Sequence, residues 1–576
     1  MGAVKFGLFT TILLIWARGL FASPFQVADS AIISGSVQIV WARQITLGNV
    51  TITLDSTGNF THRTWIRAAN YMVFSHEDRK VKLFLQPGDS IHIDWRGRAI
   101  NISGRHAELN RSLQDHEAVT LRNGRYLDEN NSVIFSKPIA EFQTIIDSLQ
   151  YVEQASLLGL HGLYKPLPPP LASRLKADIN NRIRFYRLLY PGNFNRHTRR
   201  PAKVPGDYAE QVTKVDFNHP ELISSPEFVR LVNYYVDMKS AGRFQYFHLE
   251  RAPKERLTSR YNSIISLNVD DTVRNFFVEQ HFISALNNHS VKNLSTSLSL
   301  FNETFKHSYL QKRVNGIVQD NLSVRKQPNE IQIYRRVGKV SLEAHIFHPI
   351  PRKPAIKQPA YLFFHGGGWA IGKPEWGYEN CRAFAQKGFV SISFEYRLRN
   401  VYGSPIRDAV EDALAAVSWV KANASKLNID TSHIIAAGFS SGAHLAACAA
   451  TLDPLKIFVH PLPFSPKPAA VILQSAPYSV RNRDVINSST KPELISPLNH
   501  IEKLPCPVLA FHGEMDDLVN VKEFEQFVAS MQKSGGKLTY HLFKGGGHFY
   551  FGPESFQIMN EMTELFLKKY GLRSND

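Results

Sequence analysis

The segment from residue 326 to residue 576 is predicted to form an α/β fold with a mostly parallel β-sheet and helices on both faces. Continuous apolar strands alternate with helical stretches there, and strands that are apolar on both sides are typical of buried parallel sheets. A strand pair, EIQIYRRV and VSLEAHIFHP, precedes this alternation. The six apolar strands read AYLFFH, FVSISFEYR, HIIAAGF, AAVILQSAP, PVLAFHG and LTYHLF.

Two further domains are predicted in front of this fold, since 576 residues exceed one ordinary core. Residues 24–115 alternate in polarity and turn often at Gly and Pro-Gly, which predicts a small antiparallel β domain. Residues 116–325 show helical spacing interrupted by the Pro-rich breaks KPLPPPLAS and RRPAKVPGD, which predicts a helical region.

Residues 1–23 are predicted to be a signal peptide. Lys5 precedes an apolar run over residues 6–16, and the small residues Ala22 and Ser23 follow. The run is short for a helix that spans a bilayer, although an uncleaved anchor is the alternative. We therefore expect an exported protein, periplasmic or secreted, without a stable membrane span.

Net charge and cysteine content exclude several kinds of site. The net charge of +17 comes from scattered basic residues, which favours a solvated basic surface over a nucleic-acid site. The cysteines, Cys381, Cys448 and Cys506, form neither a disulfide framework nor a metal-ligand spacing. Cys448 lies in an Ala-rich segment and is interpreted as a small buried hydrophobic residue.

The stretch GFSSG, residues 438–442, is a candidate nucleophile turn. It fits the pattern G-x-S-x-G only with Ser440 at its centre, after a predicted strand and before a predicted helix. Small residues are needed at 438 and 442 because the backbone passes itself closely in such a turn. The pentapeptide alone fits an ordinary buried helix start equally well.

A glycine loop, HGGGW at residues 365–369, strengthens the case for a nucleophile. It directly follows an apolar strand, and consecutive glycines let backbone N–H groups approach an oxyanion. Gly367 and Gly368 are the expected donors, with the N–H of Ser441 as a third. A merely flexible loop is the alternative.

A nucleophilic serine also needs a base and an acid that orients the base. Asp516 and Asp517 follow one strand, and His548 lies on a glycine-rich loop after the next strand. The order Ser, Asp, His makes His548 the candidate base and leaves both aspartates as candidate acids. His512 and His541 lie within strands and are interpreted as structural.

With these motifs, residues 326–576 resemble α/β-hydrolases of the esterase/lipase group, which includes hormone-sensitive-lipase-like and acetyl-esterase-like enzymes. The resemblance implies Ser440 as nucleophile, Asp516 as acid and His548 as base. It departs from the family at Ser441, where Ala is frequent, and at Asn520, where Pro is common. The matching motifs are HGGGW, YRL, GFSSGAHLA, SPLNHI, HGEMDDLV and GGGHFY. Asp412 and Arg397 resemble a helix aspartate and its arginine partner, and both are interpreted as structural.

The predicted β domain and helical region, residues 24–325, are similar to the N-terminal part of exported Bacteroidetes thioredoxin-like proteins. The matching stretches are LQPGDSIHI, residues 85–93, and ISGRHAELN, residues 102–110. The redox domain of such proteins does not follow, and the sequence holds no CxxC, so no thiol chemistry is expected.

The sequence therefore predicts a serine hydrolase that cleaves carboxylic esters. The resemblance implies a short-chain ester, or acetyl or feruloyl groups on a polysaccharide, as substrate. This chemistry requires neither a cofactor nor a metal. A serine peptidase of the same fold and a non-catalytic binding protein are the alternatives, and the front half is a candidate for glycan or envelope contact.

Overall fold

The computed structural model describes most of the chain. The described residues are 30–38, 44–48, 50–66, 69–76, 79–96, 99–163, 167–198, 200–208, 214–241, 253–351, 355–458, 461–480, 491–550 and 552–572. The predicted signal peptide, residues 1–23, lies outside them. Among the described residues, no helix has the length and apolar character that crossing a membrane requires.

The chain divides into two compact units. Unit one comprises Met1–Phe247 and Leu267–Val273, and unit two comprises His248–Ser266 and Arg274–Asp576. The predicted helical segment 116–325 contributes residues to both units. Unit two therefore contains helices that precede the parallel sheet in the sequence.

Unit one begins with the predicted small β domain. Its strands form two four-stranded sheets, ordered β4-β1-β7-β8 and β3-β2-β5-β6. Pairing is antiparallel except between β1 and β7, which run parallel, so the antiparallel prediction missed one pair. Alternate side chains such as Ile33, Phe74 and Ile93 are buried between the sheets. The strands are β1 Ser30–Val37, β2 Gln44–Leu47, β3 Val50–Thr53, β4 Asn59–Trp65, β5 Asn70–His76, β6 Arg79–Leu85, β7 Ser90–Arg96 and β8 Ala99–Gly104.

Five helices follow among the described residues of unit one, and buried charges join the helices to the β domain. Lys82 on β6 lies 2.9 Å from Glu117 and 3.5 Å from Asp178, and the hydroxyl of Tyr71 also donates to Asp178. Each buried charge thus has an opposite partner, as burial requires. The helices are α1 Ala107–Glu129, α2 Asn131–Ile134, α3 Ile139–Leu163, α4 Pro169–Thr198 and α5 Pro226–Ala241.

Unit two contains an eight-stranded sheet ordered β16-β15-β14-β13-β11-β12-β10-β9. The predicted strand pair β9–β10 is antiparallel, β10 is antiparallel to β12, and the remaining pairs are parallel. The chain moves from β11 to one side for β12 and to the other for β13, and ligands bind at such switch points. The strands are β9 Glu330–Val337, β10 Val340–Phe347, β11 Gln358–Phe364, β12 Val390–Phe394, β13 Ile429–Phe439, β14 Ala470–Gln474, β15 Val508–Gly513 and β16 Leu538–Phe543.

Helices cover both faces of this sheet, which confirms the predicted fold class. Alternate residues of β11 enter two different cores: Leu362 and Phe364 one, Tyr361 and Phe363 the other. Helices α12, α14 and α15 pack on the first core, and α10 and α16 on the second. The described helices from residue 253 onward are α6 Pro253–Ile265, α7 Asp271–Asn288, α8 Ser295–Thr304, α9 Tyr309–Arg325, α10 Tyr378–Gln386, α11 Arg399–Tyr402, α12 Ile406–Ala422, α13 Ala424–Leu427, α14 Ser441–Thr451, α15 Val521–Lys533 and α16 Pro553–Lys569.

Candidate active site

Ser440 lies in the tight turn between β13 and α14. Its backbone has φ 53° and ψ −123°, a strained conformation for a residue with a side chain. A Cβ at Gly438 would lie 2.4 Å from the carbonyl carbon of Gly442, and one at Gly442 would lie 1.9 Å from the oxygen of Phe364. Both glycines are therefore sterically required, as the sequence predicted.

A chain of two hydrogen bonds joins Ser440 to His548 and Asp516. The Nε2 atom of His548 lies 3.1 Å from Ser440 Oγ, and its Nδ1 atom lies 2.7 Å from Asp516 Oδ2. The three residues follow the parallel strands β13, β15 and β16, whose carboxyl ends share one edge of the sheet. Residues up to 108 positions apart in the sequence thus meet at one place.

The two candidate acids differ in their surroundings. Asp516 is buried, and its Oδ1 atom accepts hydrogen bonds from the N–H groups of Leu518 at 2.9 Å and Val519 at 2.8 Å. Burial acts to raise the pKa of Asp516, but the hydrogen bonds from His548 and Val519 hold it below its usual range. Asp517 is exposed. The carboxylate that contacts His548 is therefore that of Asp516.

His512 is a neighbour of this carboxylate that sequence reasoning assigned only a structural role. Its Nε2 atom lies 3.0 Å from the carbonyl oxygen of Val519 and 3.4 Å from Asp516 Oδ2. Burial lowers the pKa of His512 below its usual range, which favours the neutral ring. His541 lies on β16, as predicted.

Ser441 has a different environment from Ser440. It is 1% exposed, and its Oγ atom lies 3.5 Å from the hydroxyl of Tyr396. Ser441 is the first residue of helix α14, where backbone N–H groups have no partner within the helix. Its hydroxyl is thus enclosed, whereas Ser440 is partly exposed and contacts His548.

The glycine loop follows β11, the strand beside β13. A Cβ at Gly366 would lie 3.4 Å from the Cβ of Ser440, so the loop passes close to the candidate nucleophile. Gly367 and Gly368 have φ values of 118° and 58°, which favour glycine. Within the described part of the chain, no acceptor is recorded for the N–H groups of Gly367, Gly368 or Ser441. These three donors remain available to a ligand.

His444 is a residue of the site that sequence reasoning missed. Its Nδ1 atom accepts a hydrogen bond of 3.3 Å from the indole of Trp369, and its Nε2 atom donates to the carbonyl of Ile495 at 2.8 Å. Trp369 belongs to the glycine loop, and His444 lies four residues after Ser440. The sequence could have indicated this residue, because a side chain four residues after the nucleophile lies on the same face of the helix.

The predicted pair of Arg397 and Asp412 is present beneath the loop. Arg397 donates from Nε to Asp412 Oδ2 at 2.8 Å, and both residues are buried. The preceding Tyr396 donates its hydroxyl proton to the carbonyl of His365 at 2.8 Å. The pair thus holds a segment that supports the start of the glycine loop.

The three cysteines are free and buried, which agrees with the interpretation of Cys448. Over the described residues, His, Cys, Asp and Glu side chains form no cluster suited to holding a metal ion.

Comparison with known proteins identifies relatives that match part of the chain. A family model described as BD-FAE matches residues 346–462. Esterase LipC of Mycobacterium tuberculosis is 28% identical over 34% of this chain and 54% of its own length. Dipeptidyl aminopeptidase BIII of Pseudoxanthomonas mexicana is 26% identical over 36% of this chain and 33% of its own. The chain thus spans about half or less of these curated relatives.

A solved structure, the propionate-bound esterase Est2 of Thermogutta terrifontis, is 31% identical. It is matched over 43% of this chain and 96% of its own, with a TM-score of 0.41. The BD-FAE match lies outside residues 24–325, whose resemblance to thioredoxin-like proteins stays a prediction.

The strand order of the sheet, the matched family model and the esterase relatives agree with one another. The part of the chain from residue 326 to residue 576 has an α/β-hydrolase fold, and this chain is similar to proteins of the esterase/lipase group.

Proposed function

We propose that the protein hydrolyses carboxylic esters with Ser440 as nucleophile. The observation that carries this proposal is the pair of hydrogen bonds from Ser440 to His548 and from His548 to Asp516. His548 takes the proton of Ser440 as Oγ attacks the ester carbonyl, and Asp516 stabilises the imidazolium that forms. His548 then protonates the leaving alcohol, and water releases the acyl group by the same route.

The oxyanion of the tetrahedral intermediate is proposed to bind the N–H groups of Gly367, Gly368 and Ser441. Each such donor typically contributes about 3 kcal/mol of transition-state stabilisation. Two observations support the assignment: these N–H groups have no recorded acceptor among the described residues, and the loop passes close to Ser440. The positive end of the dipole of helix α14 also stabilises the negative charge of the oxyanion.

Two aromatic rings beside the nucleophile bear on the substrate. Phe439 immediately precedes Ser440, and Phe549 immediately follows His548. Their ring centroids are 5.5 Å apart, and Phe549 is 66% exposed. Exposed ring faces stack on planar groups, so the rings support an aromatic acyl ester, such as a feruloyl group on a polysaccharide, over an acetyl ester. A screen of nitrophenyl esters, then acetylated and feruloylated glycans, tests this order of preference.

Labelling by an organophosphonate serine probe tests the proposed nucleophile. The wild-type protein and Ser441→Ala are expected to be labelled, whereas Ser440→Ala is not. Labelling of Ser440→Ala at wild-type yield would overturn the assignment. An unlabelled wild-type protein that hydrolyses no ester would instead favour the non-catalytic binding alternative.

A serine peptidase is the second candidate, because dipeptidyl aminopeptidase BIII is similar to this chain. The sequence of this chain contains no fixed-period repeat of the kind that forms a propeller, which favours the esterase. Dipeptidyl nitroanilides separate the two: cleavage comparable with that of nitrophenyl esters would identify a peptidase.

Export and glycan contact remain proposals for the front half. The outer face of the sheet β4-β1-β7-β8 carries paired polar side chains, such as Ser34 opposite His92 and Ser36 opposite Asp94, and a 59% exposed Trp65. Polar groups and an exposed ring on the same sheet face suit a sugar surface. Cell fractionation of the full chain tests export, and binding to acylated polysaccharides with Trp65→Ala as comparison tests the contact.

A further inference from the structure

The far end of the glycine loop is attached to the carboxyl end of helix α7. The N–H of Gly372 donates to the carbonyl of Asn288 at 2.8 Å. The ammonium of Lys373 donates to the carbonyl of Leu286 at 2.5 Å and to Asn321 Oδ1, on helix α9, at 2.8 Å. Two helices that precede the sheet in the sequence therefore hold the residues that end the loop.

Burial makes this attachment costly to break. Lys373 is 7% exposed, and its hydrogen-bond acceptors are uncharged oxygens. The last carbonyls of a helix lack partners within it and carry the negative end of the helix dipole. The ammonium donates a hydrogen bond to the carbonyl of Leu286. Without these acceptors, the free-energy cost of removing the lysine ammonium from water would not be compensated.

The near end of the loop touches the far end directly. Gly372 has a φ of 128°, and a Cβ there would lie 2.2 Å from Nδ1 of His365. His365 in turn donates from Nδ1 to the carbonyl of Gly366 at 2.7 Å. A displacement of Gly372 would therefore also displace His365 and Gly366. These two residues directly precede the proposed oxyanion donors Gly367 and Gly368.

A second attachment reaches the same loop from helix α6. The N–H groups of Arg399 and Asn400 donate to the carbonyls of Trp369 at 2.9 Å and Ala370 at 3.1 Å. The side chain of Asn400 accepts a hydrogen bond of 2.9 Å from Arg256 on helix α6. Helices before the sheet thus hold the loop at two separate points.

We propose that Lys373 is a positioning residue for the oxyanion donors, and that helices α6, α7 and α9 form their support. This inference rests on the proposed esterase function. Donors act fully only when they are placed where the negative charge develops, and a displacement of about 1 Å can cost about 100-fold in rate. Lys373 would thus affect catalysis through Gly367 and Gly368 without touching the substrate.

The variant Lys373→Met tests the proposal because it keeps the aliphatic stem and removes the ammonium. We expect kcat for a nitrophenyl ester to fall about 10- to 100-fold, with KM changed by less than about threefold. Affinity for a trifluoromethyl ketone, which forms an oxyanion adduct with the nucleophile, should fall in parallel. Lys373→Arg, which retains a charged donor, should recover part of the lost kcat.

Lys421→Met is the matched control. Lys421 lies in the last turn of helix α12, and its ammonium donates to the carbonyl of Lys467 at 2.7 Å. The variant Lys421→Met removes a comparable hydrogen bond from a lysine ammonium to a backbone carbonyl elsewhere in unit two. It should lower Tm without changing kcat. If Lys373→Met keeps kcat within about twofold, or if Lys421→Met loses as much, the proposal is wrong.

Two outcomes distinguish this proposal from the proposed function. A wild-type protein without ester turnover or probe labelling overturns both, whereas an active wild type with an equally active Lys373→Met overturns only the positioning role. If Lys373→Met does not fold, Asn321→Ala carries the test, since it removes one neutral acceptor. A fall of about three- to tenfold in kcat is then expected, and an unchanged kcat rejects the proposal.

Discussion

Asp516 and His548 are joined by a hydrogen bond of 2.7 Å between Oδ2 and Nδ1, and the neighbouring Asp517 is exposed. Two adjacent aspartates therefore have different environments. The second oxygen of Asp516 accepts two backbone N–H groups, which orients the carboxylate toward the ring.

Asp516→Asn is expected to lower kcat by about 10⁴, because an amide stabilises neither the required tautomer nor the imidazolium. Asp517→Asn is the matched control and should remain within about twofold of the wild type. Steady-state kinetics on a nitrophenyl ester measures both. Equal losses in the two variants would contradict the assignment of Asp516.

Gly442→Ala is expected to abolish the native turn or greatly destabilise the protein. The new Cβ would lie 1.9 Å from the backbone oxygen of Phe364, which cannot move without displacing strand β11. Gly316→Ala on helix α9 is the control, since a Cβ there meets nothing within 4 Å. It should be neutral or stabilise by about 1 kcal/mol. Chemical denaturation followed by circular dichroism measures both changes.

Asp412→Asn should destabilise the fold by about 3–5 kcal/mol, because it removes the buried carboxylate that both Arg397 and Arg335 contact. The loss should appear in the urea midpoint. The kcat of the remaining folded protein should also fall, because the pair holds the segment that supports the start of the glycine loop. A variant with unchanged stability would show that Asp408 and Glu411, which also contact Arg397, compensate fully.

The stability of the protein should fall with acidification in part through His365. Burial lowers the pKa of His365 from 6.5 to about 4, so the unfolded chain takes up a proton at a higher pH than the folded protein does. The stability that the neutral, buried His365 contributes is fully present above pH 6.5 and is lost as pH falls toward 4. From pH 7 to pH 5 the free energy of unfolding should therefore fall by about 2 kcal/mol through His365.

His365→Gln removes this titration and should flatten the fall in the free energy of unfolding over the same interval. Urea unfolding at several pH values measures the slope for both proteins. Equal slopes would show that His365 is not the group responsible.

Phe549→Ala should lower kcat/KM for an aromatic acyl ester by about three- to tenfold and leave an acetyl ester nearly unchanged. The physical reason is the loss of an exposed ring face next to His548. Tyr540→Ala, which removes another half-exposed aromatic ring on β16, is the control. A loss of equal size on both esters would show that Phe549 supports the loop of His548 rather than the substrate.

Local sequence patterns predicted much of the candidate site. The turn around Ser440 admits only small residues at Gly438 and Gly442, because the backbone passes within van der Waals contact of itself. Such a requirement leaves a mark within five consecutive residues. The order of Ser440, Asp516 and His548 could also be predicted, because each residue follows an apolar strand that is recognisable from its local sequence.

Other contacts left no local mark. The link from Trp369 to His444 and the attachment of Lys373 to Leu286 join residues 75 and 87 positions apart. The sequence predicted one parallel sheet but not that helices before residue 326 would belong to the same compact unit. Helical spacing indicates that a face is buried, but not which surface buries it.

The sequence by itself determined the fold class, the glycine loop and the turn that holds Ser440, since these depend on strand periodicity and on backbone space within a few residues. Only the tertiary structure decided that Asp516 rather than Asp517 contacts His548, that the hydroxyl of Ser441 is enclosed, and that Lys373 joins the loop to helix α7. These relationships depend on strand order and packing between distant segments, which bring together side chains that no short stretch of sequence relates.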